Sequence, residues 1–215
     1  MGLEKNEGRR IFLSISEGKI VRQHQNPIEG VTETRVNKND KTVHEEKFNA
    51  VTGLVTDMKS KETTFGMFWE LYLQDGDEEY VLSFNYSSKY TSAFFRAAPN
   101  VDFGLPLTVN PWSMKDKKDA AKTVIGLSLY QPVAGQEKKQ KVEFAYTREK
   151  PLDMPDLVKK KIKGKETWDD SAQLEFFEKM LVEDILPKIK GRKSIKPVPL
   201  GDADDVTEPI EDLPF

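Results

Sequence analysis

Apolar and polar positions alternate most clearly over residues 65–86, FGMFWELYLQDGDEEYVLSFNY. Phe65, Met67, Trp69, Leu71 and Leu73 share one face of a strand, and Gly66, Phe68, Glu70, Tyr72 and Gln74 share the other. Period-2 alternation should leave the second face polar, yet it keeps Phe68 and Tyr72. Asp75-Gly76 predicts a hairpin turn, because glycine tolerates the positive φ such turns need. Tyr80, Leu82, Phe84 and Tyr86 then line one side of the return strand. Such a pair can bury a core on one face and stack flat ligands on the other.

The rest of the chain supplies further strands. Residues 9–23 alternate and turn at Glu17-Gly18, predicting an N-terminal hairpin. Residues 31–36 and 42–58 predict strands around the polar turn NKNDK, and Gly53 within the second predicts a bulge or strong coiling. After Tyr86, Ser87 or Ser88 can cap a short helix carrying Tyr90, Phe94 and Ala97, stopped at Pro99-Asn100. Leu105, Leu107 and Val109 begin another strand, Ile125, Leu127 and Leu129 a further one, and KVEFAY (141–146) a last short one. Three strands, a helix, then two or three strands predict a mainly β protein. The expected core, at 48–147, is a Greek-key barrel of the oligonucleotide/oligosaccharide-binding (OB) type with the helix plugging one end. An SH3-like barrel and an open α+β sheet are the alternatives. Residues 1–47 would extend or flank that barrel.

Composition shifts at Arg148. VKKKIKGK (158–165) packs five lysines into eight positions, and Thr167-Trp-Asp-Asp170 resembles a capping box. It precedes a helix with Leu174, Phe177, Leu181 and Ile185 on one stripe, expected to dock on the barrel and end at Pro187. This basic linker and helix fill 148–190. A flexible linker and acidic tail follow over 191–215.

Charged residues make up 32% of the chain against 37% hydrophobic, so much of it must be solvated. Absence of cysteine excludes disulfides and thiolate metal sites, and His24 and His44 have no metal-pair spacing. No apolar run approaches a membrane span, and MGLEKNEGRR lacks a signal-peptide stretch; a soluble cytoplasmic protein is expected. No phosphate loop, dinucleotide fingerprint, nucleophile elbow or zinc-protease motif is present. Asp202-x-Asp204-Asp205 lacks the glycine and closing glutamate of a Ca²⁺ loop. No catalytic residue, cofactor or metal is expected.

Binding chemistry is better represented. Phe12, Phe68, Tyr72, Trp112 and Tyr130 fall on the polar faces of predicted strands, with Arg35, Lys59, Lys61, Lys89 and Arg96 in or beside the same elements. Aromatic stacking, worth ~1–3 kcal/mol per base, and a cationic groove together hold single-stranded nucleic acid without regard to sequence. The lysine clusters at 159–165 and 188–196 are either solvated linkers or further phosphate contacts.

The net charge of −3 conceals an asymmetry. Asp202, Asp204, Asp205, Glu208, Glu211 and Asp212 are all in the last 14 residues; setting them aside leaves 30 acidic residues against 33 basic. The chain ends Asp212-Leu213-Pro214-Phe215. With the strand order, this tail resembles the single-stranded-DNA-binding proteins of bacteria and their phages, which join an OB fold to a flexible acidic tail ending in such a motif. The resemblance implies DNA replication, recombination and repair as the setting, in a bacterial or phage-infected cell. It also implies that the tail, through Leu213, Pro214, Phe215 and the acids before them, recruits a polymerase, primase, helicase or recombination protein. An RNA-binding or annealing module and a tail-driven protein scaffold remain alternatives. The length and the helix after the barrel look more phage-like than bacterial.

Overall fold

In the computed structural model, which describes residues 10–191 apart from 38–39, 117–118, 120, 134–137, 151 and 163–164, the chain opens with a hairpin of β1 (Arg10–Ser16) and β2 (Lys19–His24). Glu17 and Gly18 form its turn at φ of 50° and 77°, the double positive φ of a type I′ turn. β3 (Glu33–Val36) and β4 (Thr42–Phe48) follow. Next come β5 (Val51–Thr63), β6 (Gly66–Asp75), β7 (Glu78–Asn85), α1 (Lys89–Ala97), β8 (Leu107–Lys115), β9 (Thr123–Gln131) and β10 (Gln140–Lys141). The predicted central hairpin is β6–β7, with Gly76 at positive φ. The expected strand at 141–146 is almost all irregular, tied down where Val142 N donates to Leu129 O and Ala145 N to Arg96 O.

Among the described residues, ten strands make one mixed sheet in the order β10-β9-β8-β5-β6-β7-β1-β2-β4-β3. The three-strand, helix, two-strand order was expected; the closed barrel was not realised. β7 meets β1 in parallel, from Arg10↔Glu79 to Ser14↔Ser83, so the N-terminal hairpin extends the sheet itself. The sheet curls until the β1–β2 turn meets β8, where a Cβ on Gly18 would stand 2.4 Å from the Ser113 backbone nitrogen. Among the described residues no ladder joins them there: β2 pairs with β1 and β4, and β8 pairs with β9 and, over Leu107–Val109 only, with β5, so the sheet stays open with β10 and β3 as its edges.

β5 carries the bend. Val51–Gly53 pairs with β8, and from Leu54 onward the strand pairs with β6, with a bulge between Val55 and Asp57. Gly53 sits at the changeover, where a Cβ would come within 3.0 Å of Gln74 O. The inner face buries Met58, Trp69, Leu71, Leu73, Leu82 and Phe84. α1, capped by Ser88 accepting from Thr91 N, lays Phe94 and Phe95 against it. Each such side chain stabilises the fold by roughly 1.5–3 kcal/mol.

β11 (Val158–Ile162) and β12 (Lys165–Asp169) form a separate two-stranded ribbon, so Thr167-Trp168 belongs to a strand and not to a helix cap. α2 (Ser171–Met180) then docks as expected, with Phe177 stacked on Phe95 at 4.7 Å between centroids. The helix does not stop at Pro187. It widens into a π turn at Leu181–Ile185 and continues as α3 (Leu186–Lys190). The wider turn accommodates a proline that has no N–H to offer and would clash in an α-helical interior. Among the described residues no helix is long and apolar enough to cross a membrane.

Candidate nucleic-acid interface

The face opposite the core runs from β9 through β8, β5, β6 and β7 to β1, and alternation assigns its side chains. Cross-strand rows place Asp57, Tyr72, Val81 and Phe12 together, Lys59 beside Glu70 and Ser83, and Lys61 beside Phe68 and Asn85. On the other side of the bend, Thr52, Thr108, Tyr130 and Lys141 form one row, and Trp112 sits opposite Gly126. Phe12, Lys59, Lys61, Phe68, Tyr72, Trp112 and Tyr130 therefore share a single sheet face.

They are not equally available. Phe68 and Tyr72 are 6% and 8% exposed, so neither ring offers an open face to a base. The Arg10 guanidinium carbon lies 5.8 Å from the Tyr72 ring centre and the Lys59 ammonium 4.9 Å, a cation–π arrangement. Glu70, buried between the two aromatics, accepts from Tyr72 Oη at 2.7 Å and Lys61 Nζ at 2.9 Å, with Lys59 Nζ at 3.6 Å. Burial pushes the Glu70 carboxyl upward, but those bonds and the two lysine charges more than reverse this and hold it below its ordinary value. The Tyr72 hydroxyl is pushed up by burial and by its carboxylate partner. Lys59 and Lys61 are thus half-neutralised, with their ammonium groups at the surface.

The β8–β9 half is more open. Trp112 is half-buried, its indole laid across Gly126 so closely that a Cβ there would stand 2.3 Å from the indole Cζ2. Tyr130, also half-buried, lies four residues along the ladder, about 14 Å away at strand spacing. In the Tyr130 row Lys139 Nζ donates to Thr52 Oγ1 and Thr108 Oγ1 at 3.2 and 2.8 Å. A flat aromatic backed by glycine, a second aromatic and a cation held in place by hydroxyls can stack bases and neutralise phosphate.

The remaining expected residues lie elsewhere. Arg35, on the β3 edge, makes a two-pronged bridge to buried Glu45 at 3.0 and 2.6 Å. Arg96 Nε donates to Tyr146 O at 3.0 Å, and its guanidinium sits over Phe144; it anchors the segment after β10. Lys89 is exposed on the first turn of α1. There it lines a groove of about 780 Å³ with Ser87, Ser88, Lys115, Met114 and Ile125. The acidic run, from Asp202 to Phe215, lies outside the described residues.

Sequence reasoning missed Arg10, Glu70, Lys139 and Lys115. Glu70 carried a visible signal, an acid between two aromatics on one strand face. The others come together only through pairings distant in the chain. No family model, no curated protein and no solved structure matches the chain.

Proposed function

We propose that the protein is a non-enzymatic single-stranded-DNA-binding protein that coats exposed strands without regard to sequence. The observation carrying this reading is Trp112 laid on Gly126, on the same face as Tyr130 and Lys139. A strand crossing this face would stack bases on the two aromatics while Lys139, Lys141, Lys59 and Lys61 meet its phosphates. The β5–β9 unit, with its helix after the third strand, is read as an OB-type module opened by the entry of β1. The acidic run Asp202–Phe215 is proposed to recruit replication proteins, by offering an apolar and acidic segment to a pocket rimmed with arginine or lysine.

Titration with oligo-dT tests the main claim. Saturable tryptophan quenching that weakens with salt, and a mobility shift favouring single-stranded over duplex DNA, is the expected result. Equal affinity for duplex, or no quenching, overturns it. Competition with a matched RNA oligomer decides between DNA and RNA through the 2′-hydroxyl.

A further inference from the structure

The β11–β12 ribbon has no structural need for its most prominent side chain. Trp168 is 62% exposed, and the ribbon's strands pair only with each other among the described residues. A two-stranded ribbon is marginal on its own in water, and burying a tryptophan would have been the simplest way to steady it. Instead Trp168 stands outward in register with Lys159, whose ammonium lies 5.2 Å from the ring centre. Lys161 shares that face, in register with Glu166, whose carboxylate also lies 3.4 Å from the exposed Lys159 ammonium. Lys160, on the opposite face, is ion-paired with Asp169. Residues 158–169 carry five lysines against two acids, a cationic ribbon around an open indole.

The root of the ribbon ties it to the main body. Ser171 Oγ and N both donate to Asp169 Oδ1, at 2.6 and 3.2 Å, as α2 begins. Asp170 accepts from Ser87 Oγ, and Ser87 lines the groove that also carries Lys89 and Lys115. The ribbon thus rises from the rim of a groove at the end of β8 and the start of β9, lined by Lys89, Lys115 and one acid, Glu17. Trp112 lies on β8, one residue from groove-lining Ser113 and on the opposite face.

We propose that the ribbon is a second DNA-binding arm, in which Trp168 stacks one base and Lys159 and Lys161 meet the flanking phosphates. It lengthens the strand path beyond the Trp112–Tyr130 face, past the groove at the start of α1. This rests on the single-stranded-DNA reading above. The occupant follows from the chemistry. A cationic ribbon with one open flat ring matches a polyanion that carries flat bases.

Full-length protein is titrated with oligo-dT in five forms: unsubstituted, Trp168→Ala, Trp168→Phe, Lys159→Ala/Lys161→Ala, and Trp112→Ala. The expected result is a loss of roughly five- to a hundred-fold for Trp168→Ala, recovered in large part by Trp168→Phe. The double lysine variant should lower the salt slope by about 1.4. Ultraviolet cross-linking of the unsubstituted protein should tag the 158–169 peptide. Thermal melting should be unchanged in the arm variants, since Trp168 supports no core. If Trp168→Ala binds and cross-links like the unsubstituted protein while Trp112→Ala binds poorly, the arm is wrong and the sheet-face reading stands. If the unsubstituted protein does not bind, both fall.

Discussion

Trp112 and Gly126 face each other across the β8–β9 ladder at a distance that only a hydrogen on the glycine permits. The contact does little for the core, because both residues lie on the face turned away from it. It does fix the plane of an outward indole. Substituting Gly126→Ala should push the ring off its seat at small cost to stability, since a tryptophan edge can swing outward. DNA binding should then fall by about 1–3 kcal/mol, as far as in Trp112→Ala. Oligo-dT titration with a parallel melting curve checks this. An unchanged affinity with an unchanged emission spectrum would sink it.

Glu70 works against binding and for folding. Its carboxylate occupies Lys61 and Lys59 and holds the Tyr72 hydroxyl. Glu70→Gln should destabilise the protein by about 1–3 kcal/mol, because hydrogen bonds to a buried charge are among the stronger ones. The same change frees two lysines, so affinity for oligo-dT at low salt should rise. The salt slope should steepen by about 0.7 for each lysine that then reaches phosphate. Denaturant melts and salt titrations of one variant therefore move in opposite directions.

The titrating groups set both ends of the stability profile. Glu70 is held below its ordinary 4.5, so its contribution is present above that pH and is lost as pH falls through the folded value. Tyr80 and Tyr86 are raised to about 12, the first mainly by its bond to Glu78 and the second mainly by burial. Their contribution is complete below pH 10, the ordinary tyrosine value, and is lost as pH rises through about 12. Melting temperature against pH should show both limbs, with Glu70→Gln flattening the acid one and Tyr86→Phe the alkaline one.

Phe177 joins the C-terminal helix to the sheet. It stacks on Phe95, and the next residue, Glu178, accepts from Tyr86 Oη at 3.0 Å. Phe177→Ala should cost about 3–5 kcal/mol. Because the ribbon is rooted at the start of the same helix, hydrogen exchange should rise in α2 and in β11–β12 together. Exchange confined to α2 would show that the ribbon is anchored by other means.

Local signals were read correctly where they were local. Asp75-Gly76, the Ser88 cap and the stripe Phe177–Leu181–Ile185 depend on neighbours within a few residues. Alternation placed Phe68 and Tyr72 on one face; Lys59 and Lys61 join it only because β5 runs on to Thr63. Alternation gave no sign that Glu70 would take both lysines as partners or that Arg10 would arrive from another strand to cover Tyr72. The closed barrel failed for a similar reason, since a parallel pairing such as Arg10↔Glu79 leaves no local trace. The ribbon was hidden because VKKK and KETW have neither apolar alternation nor a turn signature strong enough to outweigh their charge. Trp168 was therefore assigned to a helix start.

The place of β1 also sets a timetable. It leaves the ribosome before its parallel partner β7, which follows only when Glu79, 69 residues after Arg10, has been made. Contacts of that sequence separation slow folding. Until they form, β7 presents a bare edge that another nascent chain can occupy with its own first strand. Crowded expression should therefore favour strand-exchanged dimers, and slow synthesis the monomeric sheet.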